Sequence, residues 1–264
     1  MLKALVKLSR IQRAIYSLEI FGALWIYVQV GLIRLTCLKS SIIHFLLFFV
    51  GFQTAYFAVY IINDILDYSK DKANKFQQHK PLVSGEFSKK QAKLLALVHI
   101  IIGYGILFVL RDIIGSLITS FALIYNLFYT LILKKNHISK IIGNSFTHTF
   151  RILIPLFWFL RQALFSTIFW HLYVNVLFAT LIFVLNYLLF GTILSNLKQI
   201  SIGNKIAKRT HESLIKIFVL IACVSIIVVW YLHMWLYMTL IIFLLVISLL
   251  LSRSKKIQTN LYKL

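Results

Sequence analysis

Acidic side chains are scarce in this chain, and the few present are unevenly placed. Asp and Glu number 7 among 264 residues, whereas Lys and Arg number 28, which gives a formal net charge of +21. Three of the seven acids, Asp64, Asp67 and Asp71, lie in the stretch "IINDILDYSKDK", residues 61–72. The chain therefore concentrates nearly half of its acid at one place, directly after a long apolar run.

Cysteine and proline are rarer still, and their scarcity excludes two kinds of architecture. The two cysteines, Cys37 and Cys223, are too few and too far apart in sequence for a disulfide framework or a cysteine-based metal cluster. We expect both to be ordinary core residues. Only two prolines occur, so the apolar segments run almost without interruption.

Apolar residues, by contrast, are abundant. Hydrophobic residues make up 60% of the chain and the mean hydropathy is +0.87, more than one soluble core would bury. A helix that crosses about 30 Å of hydrocarbon needs roughly 20 apolar residues. Eight segments meet this requirement, at residues 14–33, 41–63, 94–110, 113–133, 141–160, 170–195, 214–232 and 234–251. We therefore predict an all-α polytopic membrane bundle of eight transmembrane helices, built as a single domain over residues 1–264.

The basic residues follow alternate loops between these segments. Of the 28, 23 lie before the first segment, after the second, fourth and sixth, or after the eighth. The opposite loops carry only Arg34, Lys39, Arg111 and Arg161. This positive-inside pattern predicts a plasma-membrane protein whose termini and Lys-rich loops are cytoplasmic. It argues against a nucleic-acid partner, because the charge does not form one patch.

The acidic cluster has a spacing that suits a helix face. If the second segment continues as a helix, Asp64, Asp67 and Asp71 share one side, with Asn63 beside them. Carboxylates one turn apart repel one another, so a positive group should stand against them. Mg²⁺ fits, because it takes oxygen ligands and is usually held by one or two carboxylates together with substrate phosphates. The alternative is that these residues are solvated and simply mark a helix end.

The sequence after the cluster favours the first interpretation. It reads "HKPLVSGEFSKKQAKLL" over residues 79–95, with Lys80 before Pro81 and a Ser84-Gly85 pair. Asn63-Asp64-x-x-Asp67-x-x-x-Asp71 closing an apolar segment, followed by this loop, resembles the UbiA-type intramembrane prenyltransferases. The family's first motif is N-D-x-x-D-x-x-x-D, and its next loop carries a sequence similar to R-P-L-x-S-G.

The resemblance implies a fold and a reaction. Members are bundles of eight or nine membrane helices, so a ninth helix is possible here, and they bind an isoprenoid diphosphate through Mg²⁺ at the cytoplasmic mouth. They transfer the prenyl group to a lipophilic, often aromatic, acceptor, which makes the expected activity a transfer of alkyl or aryl groups other than methyl. Two alternatives stay open, an enzyme that transfers phosphoribose to a polyprenyl phosphate and a catalytically impaired lipid-binding pseudoenzyme.

The second acidic motif of the family is degenerate here. The corresponding stretch, "LSNLKQISIGNKIAKRT" over residues 194–210, keeps Asn196 and a basic ending but has no aspartate. One hypothesis is that a single Mg²⁺ remains on Asp64, Asp67 and Asp71, while Lys198, Lys205 or Arg209 neutralises the other phosphate directly. The other is that efficient ionisation of the diphosphate is lost.

Arg151 is the most unusual single charge, because it lies near the middle of the fifth apolar segment. An Arg at this depth is expensive and should face the bundle interior, where it would contact diphosphate or acceptor. Tyr125 and Asn126, near the end of the fourth segment, are expected to reach the same cavity. The predicted catalytic residues are Asp64, Asp67, Asp71 and Arg151, and the predicted substrate-binding residues are Asn63, Lys80, Tyr125, Asn126, Asn196, Lys198, Lys205 and Arg209.

Overall fold

A computed structural model describes residues 8–9, 18–29, 35–74, 77–163, 169–201, 205–232 and 235–253. The described residues are almost entirely helical, and no β-strand occurs among them. The α-helices are α1 (Leu18–Gln29), α2 (Leu35–Leu66), α3 (Tyr68–Ala73), α4 (Lys89–Val109), α5 (Ile113–Leu131), α6 (His137–Ala163), α7 (Phe169–Ser201), α8 (Lys205–Tyr231) and α9 (Trp235–Arg253). A short 3-10 helix, Leu133–Lys135, precedes α6. The predicted all-α class is confirmed.

Six of the described helical segments are long and apolar enough to cross a membrane. They are Ser41–Leu66, Lys89–Val109, Ile113–Lys135, Phe178–Leu197, Thr210–Tyr231 and Trp235–Ser252. The two remaining predicted segments correspond to α1, of which 12 residues are described, and to α6, which carries the polar stretch "GNSFTHTFR". The chain is therefore an integral membrane protein, and the full count of eight spans stays a prediction.

The chain divides into two compact units. The first unit comprises Met1–Gly22 and Arg34–Ile132, and the second comprises Ala23–Ile33 and Leu133–Leu264. The boundary between residues 132 and 133 falls at the end of the fourth predicted segment, so each unit contains one of the two motif positions. The prediction of a single domain is not tested by this division.

In the first unit, α2 and α4 approach so closely that only glycine fits at the contact. A Cβ on Gly103 would lie 2.6 Å from the backbone nitrogen of Ala55 and 2.6 Å from the carbonyl oxygen of Gly51. Further along the pair, Ala58 packs in a buried cluster with Ala92 and Ala96. Small residues of this kind allow membrane helices to pack backbone against backbone.

A row of aromatic side chains follows one face of α2 inside the first unit. The aromatic row consists of Phe45, Phe48, Phe52, Tyr56 and Tyr60, all of them buried. Successive ring centroids lie 5.6 to 6.0 Å apart. The spacing of three or four residues places these rings on the same side of the helix. The row ends one helical turn before Asp64.

The beginning of α5 is fixed by a buried acid. Asp112 Oδ1 accepts a hydrogen bond of 2.8 Å from the Gly115 backbone nitrogen, which makes Asp112 the N-cap. The other carboxylate oxygen lies 3.5 Å from His44 Nε2 on α2. Asp112 therefore caps the N-terminus of α5 in a buried setting, at the opposite end of α5 from Thr130.

Polar side chains also join helices within the second unit. Asn186 Nδ2 on α7 donates to Ser225 Oγ on α8 at 2.8 Å, and the hydroxyls of Thr180 and Tyr237 lie 2.6 Å apart. Such bonds satisfy polar groups that would otherwise be buried without water. Cys223 on α8 is exposed, so the expectation that it is a core residue is wrong. The side chain of Cys37 is outside the described residues.

Candidate functional site

The helix that carries the acidic motif continues past the apolar span. α2 ends at Leu66 and α3 begins at Tyr68, with Asp67 as the residue between them. The Asp67 backbone nitrogen donates to Asn63 O at 2.9 Å, and the Asp71 nitrogen donates to Asp67 O at 2.9 Å. Because these are helical i to i−4 bonds, the backbone keeps a helical path through the motif.

Lys80 lies against two of the three aspartates. Its Nζ donates to Asp71 Oδ2 at 2.6 Å and forms an ion pair with Asp64 Oδ1 at 3.4 Å. Asp64 and Asp71 are buried, and the Lys80 side chain is 18% exposed. The positive group expected beside the acidic cluster is thus supplied, at least in part, by the chain itself.

The loop that carries Lys80 is folded firmly onto the first unit. The Lys80 carbonyl accepts hydrogen bonds from the backbone nitrogens of Val83 and Ser84, both at 2.9 Å. Pro81 is buried, and Leu82 packs into the cluster that contains Ala58 and Ala92. The turn and the apolar packing therefore hold the Lys80 backbone in addition to the ion pair.

Asn63 is joined to the end of α5. Thr130 Oγ1 lies 2.5 Å from Asn63 Oδ1, to which it donates, and also lies 2.9 Å from Asn126 O. The Asn126 side chain donates back to Ala122 O in its own helix at 2.8 Å. The first motif and the predicted Asn126 thus belong to one network through Thr130, which the sequence had not singled out.

A chain of tyrosines leads up to the acidic cluster, and three of the four, Tyr56, Tyr60 and Tyr129, were not predicted from the sequence as site residues. The Tyr125 phenol lies close enough to those of Tyr56 and Tyr129 to interact electrostatically, and Tyr129 interacts in the same way with Asp67. The Tyr60 ring packs edge-on against Tyr56 at 5.6 Å. The signal for Tyr56 and Tyr60 was available, because they precede Asp64 by eight and four residues on one helix face.

No three His, Cys, Asp or Glu side chains within the described part of the chain come close enough together to hold a metal ion. The three aspartates therefore do not form a closed cage by themselves. Asp64 and Asp71 nevertheless both contact the Lys80 ammonium. Two carboxylates completed by substrate phosphates are an ordinary Mg²⁺ arrangement. The three aspartates and Lys80 together have a formal charge of −2, which one divalent ion would neutralise.

The remaining predicted site residues lie in the second unit. Arg151 on α6 is buried, with 5% of its surface exposed. Asn196 on α7 is fully buried and donates through Nδ2 to Ala207 O on α8 at 3.0 Å, with His211 Nδ1 at 3.4 Å. Its amide nitrogen therefore joins α7 to α8. Lys198, Lys205 and Arg209 occupy helical positions, and their side chains are outside the described residues.

The comparisons with known proteins identify the family. The sequence profile described as the UbiA prenyltransferase family matches residues 20–260, nearly the whole chain. No curated protein and no solved structure matches it. The chain belongs to the UbiA prenyltransferase family, and this membership supports a membrane prenyltransferase in general.

Proposed function

From this membership we propose that the chain transfers an isoprenyl group from an isoprenoid diphosphate to a lipophilic or aromatic acceptor, with Mg²⁺. The observation that carries the proposal is the pair of buried carboxylates, Asp64 and Asp71, which both contact the Lys80 ammonium where an apolar helix ends. An isoprenoid diphosphate needs both a charged site and an apolar site. The headgroup would bind at the motif, and the tail would lie among the membrane helices.

The residues of the first unit suit the diphosphate end of this substrate. Asp64 and Asp71 would hold Mg²⁺ together with substrate phosphate, and Asp67 would add negative charge nearby; the ion, when bound, supplies positive charge for the leaving diphosphate. Lys80, which contacts Asp71, would neutralise a phosphate oxygen, and Asn63 is oriented by its bond to Thr130. Preorganised charge of this kind lowers the barrier to heterolysis, because no solvent must reorganise at the moment of reaction.

The proposed reaction breaks the allylic C–O bond, with both electrons leaving on the diphosphate. The acceptor then supplies the electron pair for the new bond and loses a proton. Tyr129 interacts with Asp67, and Tyr125, Tyr56 and Tyr60 follow it as a chain of neighbouring tyrosines. Aromatic faces stabilise a cation within about 6 Å of the ring. We assign these tyrosines to the neighbourhood of the reacting carbon.

The second unit would contribute positive charge without acid. Arg151 would contact diphosphate or acceptor, and Lys198, Lys205 and Arg209 would bind phosphate oxygens where other family members use a second acidic motif. Asn196 would act by holding α7 to α8, since its amide is engaged with Ala207. Lysine and arginine are effective phosphate ligands, so the loss of the second set of aspartates does not by itself abolish diphosphate binding.

The test is turnover by the purified full-length protein. Allylic diphosphates of several chain lengths are supplied with a panel of aromatic and lipophilic acceptors, with and without Mg²⁺, and pyrophosphate release is measured. Asp64→Ala and the isosteric Asp64→Asn should each lower Mg²⁺-dependent release by about 10²-fold or more, the usual effect of removing an electrostatic group at the reacting centre. Exposed Glu86→Gln serves as the control and should retain wild-type release.

A second candidate function is retained because Lys80 already neutralises part of the acidic cluster. In that case the chain binds an isoprenoid lipid without turning it over. Binding of an allylic diphosphate with no metal-dependent release, for every donor and acceptor, would exclude prenyl transfer and favour this alternative. Release of pyrophosphate only in the presence of phosphoribosyl diphosphate and a polyprenyl phosphate would instead point to phosphoribosyl transfer.

A further inference from the structure

We propose that Lys80 is an exchangeable counter-ion. Before substrate binds, its ammonium contacts both the Asp64 and the Asp71 carboxylate. When a divalent cation binds these carboxylates, the ammonium moves away from them and binds the diphosphate. The proposal rests on the function proposed above, and it assigns to Lys80 a second role besides that of a phosphate ligand.

The geometry supports a shared position for the lysine and the metal. One nitrogen contacts both carboxylates, at 2.6 Å and 3.4 Å, so it occupies the place between the two groups. A divalent ion bound by the same two carboxylates would lie only a few ångströms from the ammonium. Like charges at such a distance repel strongly at a site that is shielded from water. The two cations should therefore compete for Asp64 and Asp71.

The fold allows Lys80 to leave without disturbing the loop. The turn at residues 80–84 is held by backbone hydrogen bonds, and Pro81 and Leu82 are buried beside it. The side chain itself is partly exposed, which gives the ammonium a route towards an incoming phosphate. A lysine on a flexible stem can follow a phosphate in this way, because it binds as a point charge without a fixed fork.

Competition predicts effects of opposite sign for the two ligands. Removing the charge of Lys80 should strengthen binding of a divalent cation, because the carboxylates lose a cation that competes for the same position. The same change should weaken binding of diphosphate, because one phosphate ligand is lost. A lysine that only supports the structure would instead lower both affinities or leave both unchanged.

The experiment measures the two affinities separately on purified full-length protein. Mn²⁺ binding is followed by the loss of the free-ion EPR signal, without any phosphate present. Binding of inorganic pyrophosphate is followed by calorimetry at saturating Mg²⁺. For Lys80→Met we expect the Mn²⁺ dissociation constant to fall about tenfold and that of pyrophosphate to rise about tenfold, which corresponds to about 1.4 kcal/mol each.

Three further variants make the result specific. Lys80→Gln removes the charge and keeps polarity, so it should reproduce both signs if the methionine variant does not fold. Lys70→Met removes an exposed lysine on α3 and should change neither affinity by more than about twofold, as expected for a screened surface charge. Asp64→Asn should abolish Mn²⁺ binding.

Failure of the exchange and failure of the metal-dependent function give different results. If Asp64→Asn abolishes Mn²⁺ binding but the Lys80 variants bind Mn²⁺ no more tightly than the wild type, the exchange is refuted and the metal site stands. If neither the wild type nor the Lys80 variants bind Mn²⁺, the metal-dependent function falls and the exchange falls with it.

Discussion

At the scale of single residues, Thr130 shows how a motif side chain depends on a residue outside the motif. Its hydroxyl lies 2.5 Å from Asn63 Oδ1, and this bond joins α2 to the end of α5. Thr130 is buried and Asn63 is half-buried, so the bond between them is partly shielded from water. A hydrogen bond of this type contributes about 1 kcal/mol to stability, and removing the hydroxyl takes this donor away from the Asn63 oxygen.

We therefore predict that Thr130→Val destabilises the protein by about 1 to 2 kcal/mol and raises the KM for the diphosphate substrate. Thr130→Ser keeps the hydroxyl and should restore both properties. The measurements are thermal unfolding in detergent and initial rates against donor concentration. Thr239→Val provides the matched control, since the Thr239 hydroxyl bonds only within its own helix and is exposed. Equal effects of the valine substitutions at 130 and 239 would contradict a specific role for the Asn63 bond.

The sequence predicted the acidic cluster better than its surroundings. The spacing of Asp64 and Asp71 alone places them on one helix face, and both contact Lys80. That contact could not be predicted as an ion pair, because it depends on how residues 77–88 fold back, which is set by the burial of Pro81 and Leu82. Local spacing is written in the sequence, whereas the fold of a loop depends on contacts distant in sequence.

At the scale of helices, the close packing of α2 against α4 can be tested by comparing two glycines of α4. Gly103 faces the contact, where a Cβ would lie 2.6 Å from backbone atoms of α2, whereas Gly105 has nothing within 4 Å of its Cβ position. We predict that Gly103→Ala lowers stability by about 1 to 3 kcal/mol, because the helices must separate. Gly105→Ala should be neutral or slightly stabilising, because alanine favours helix.

The comparison is made by measuring the melting temperature of both variants in the same detergent. Because the helix, residue types and change are identical, only the environment of the Cβ differs. A loss of the same size for Gly105→Ala would mean that the α2–α4 contact is not the cause. Pyrophosphate release by the surviving fraction of Gly103→Ala would show in addition whether this contact supports the Asp64 site.

Helix ends were predicted less well than helix positions. The apolar pattern ended the sixth segment at residue 195 and began the seventh at 214, but α7 reaches Ser201 and α8 begins at Lys205. The apolar pattern detects only the part of a helix that lies in hydrocarbon. A helix can continue into water with polar residues, because its backbone hydrogen bonds are satisfied internally. Lys198, Lys205 and Arg209 therefore belong to helices and not to the loop in which the sequence placed them.

At the scale of the whole molecule, the two units differ in the charge of their motif positions. The first unit keeps three aspartates, while the corresponding stretch of the second has lysine, glutamine and asparagine at residues 198, 199 and 204. The stretches "YIINDILD" and "TILSNLKQ" are faintly similar, but too few residues are identical to establish a duplicated four-helix unit.

The charge distribution also makes a prediction about topology, because 23 of 28 basic residues lie on one side of an eight-span arrangement. Ser69 on α3 and Arg111 between α4 and α5 are both exposed and are separated by the span of α4. In a variant with Cys37→Ser and Cys223→Ser, a membrane-impermeant maleimide should label Arg111→Cys in intact cells. Ser69→Cys should react only after the membrane is opened, since positive loops are retained in the cytoplasm. The cysteine-free parent must remain unlabelled in both conditions. Labelling of Ser69→Cys in intact cells would reverse the orientation, and would place the acidic cluster on the side opposite to the cytoplasmic mouth that the family resemblance implies.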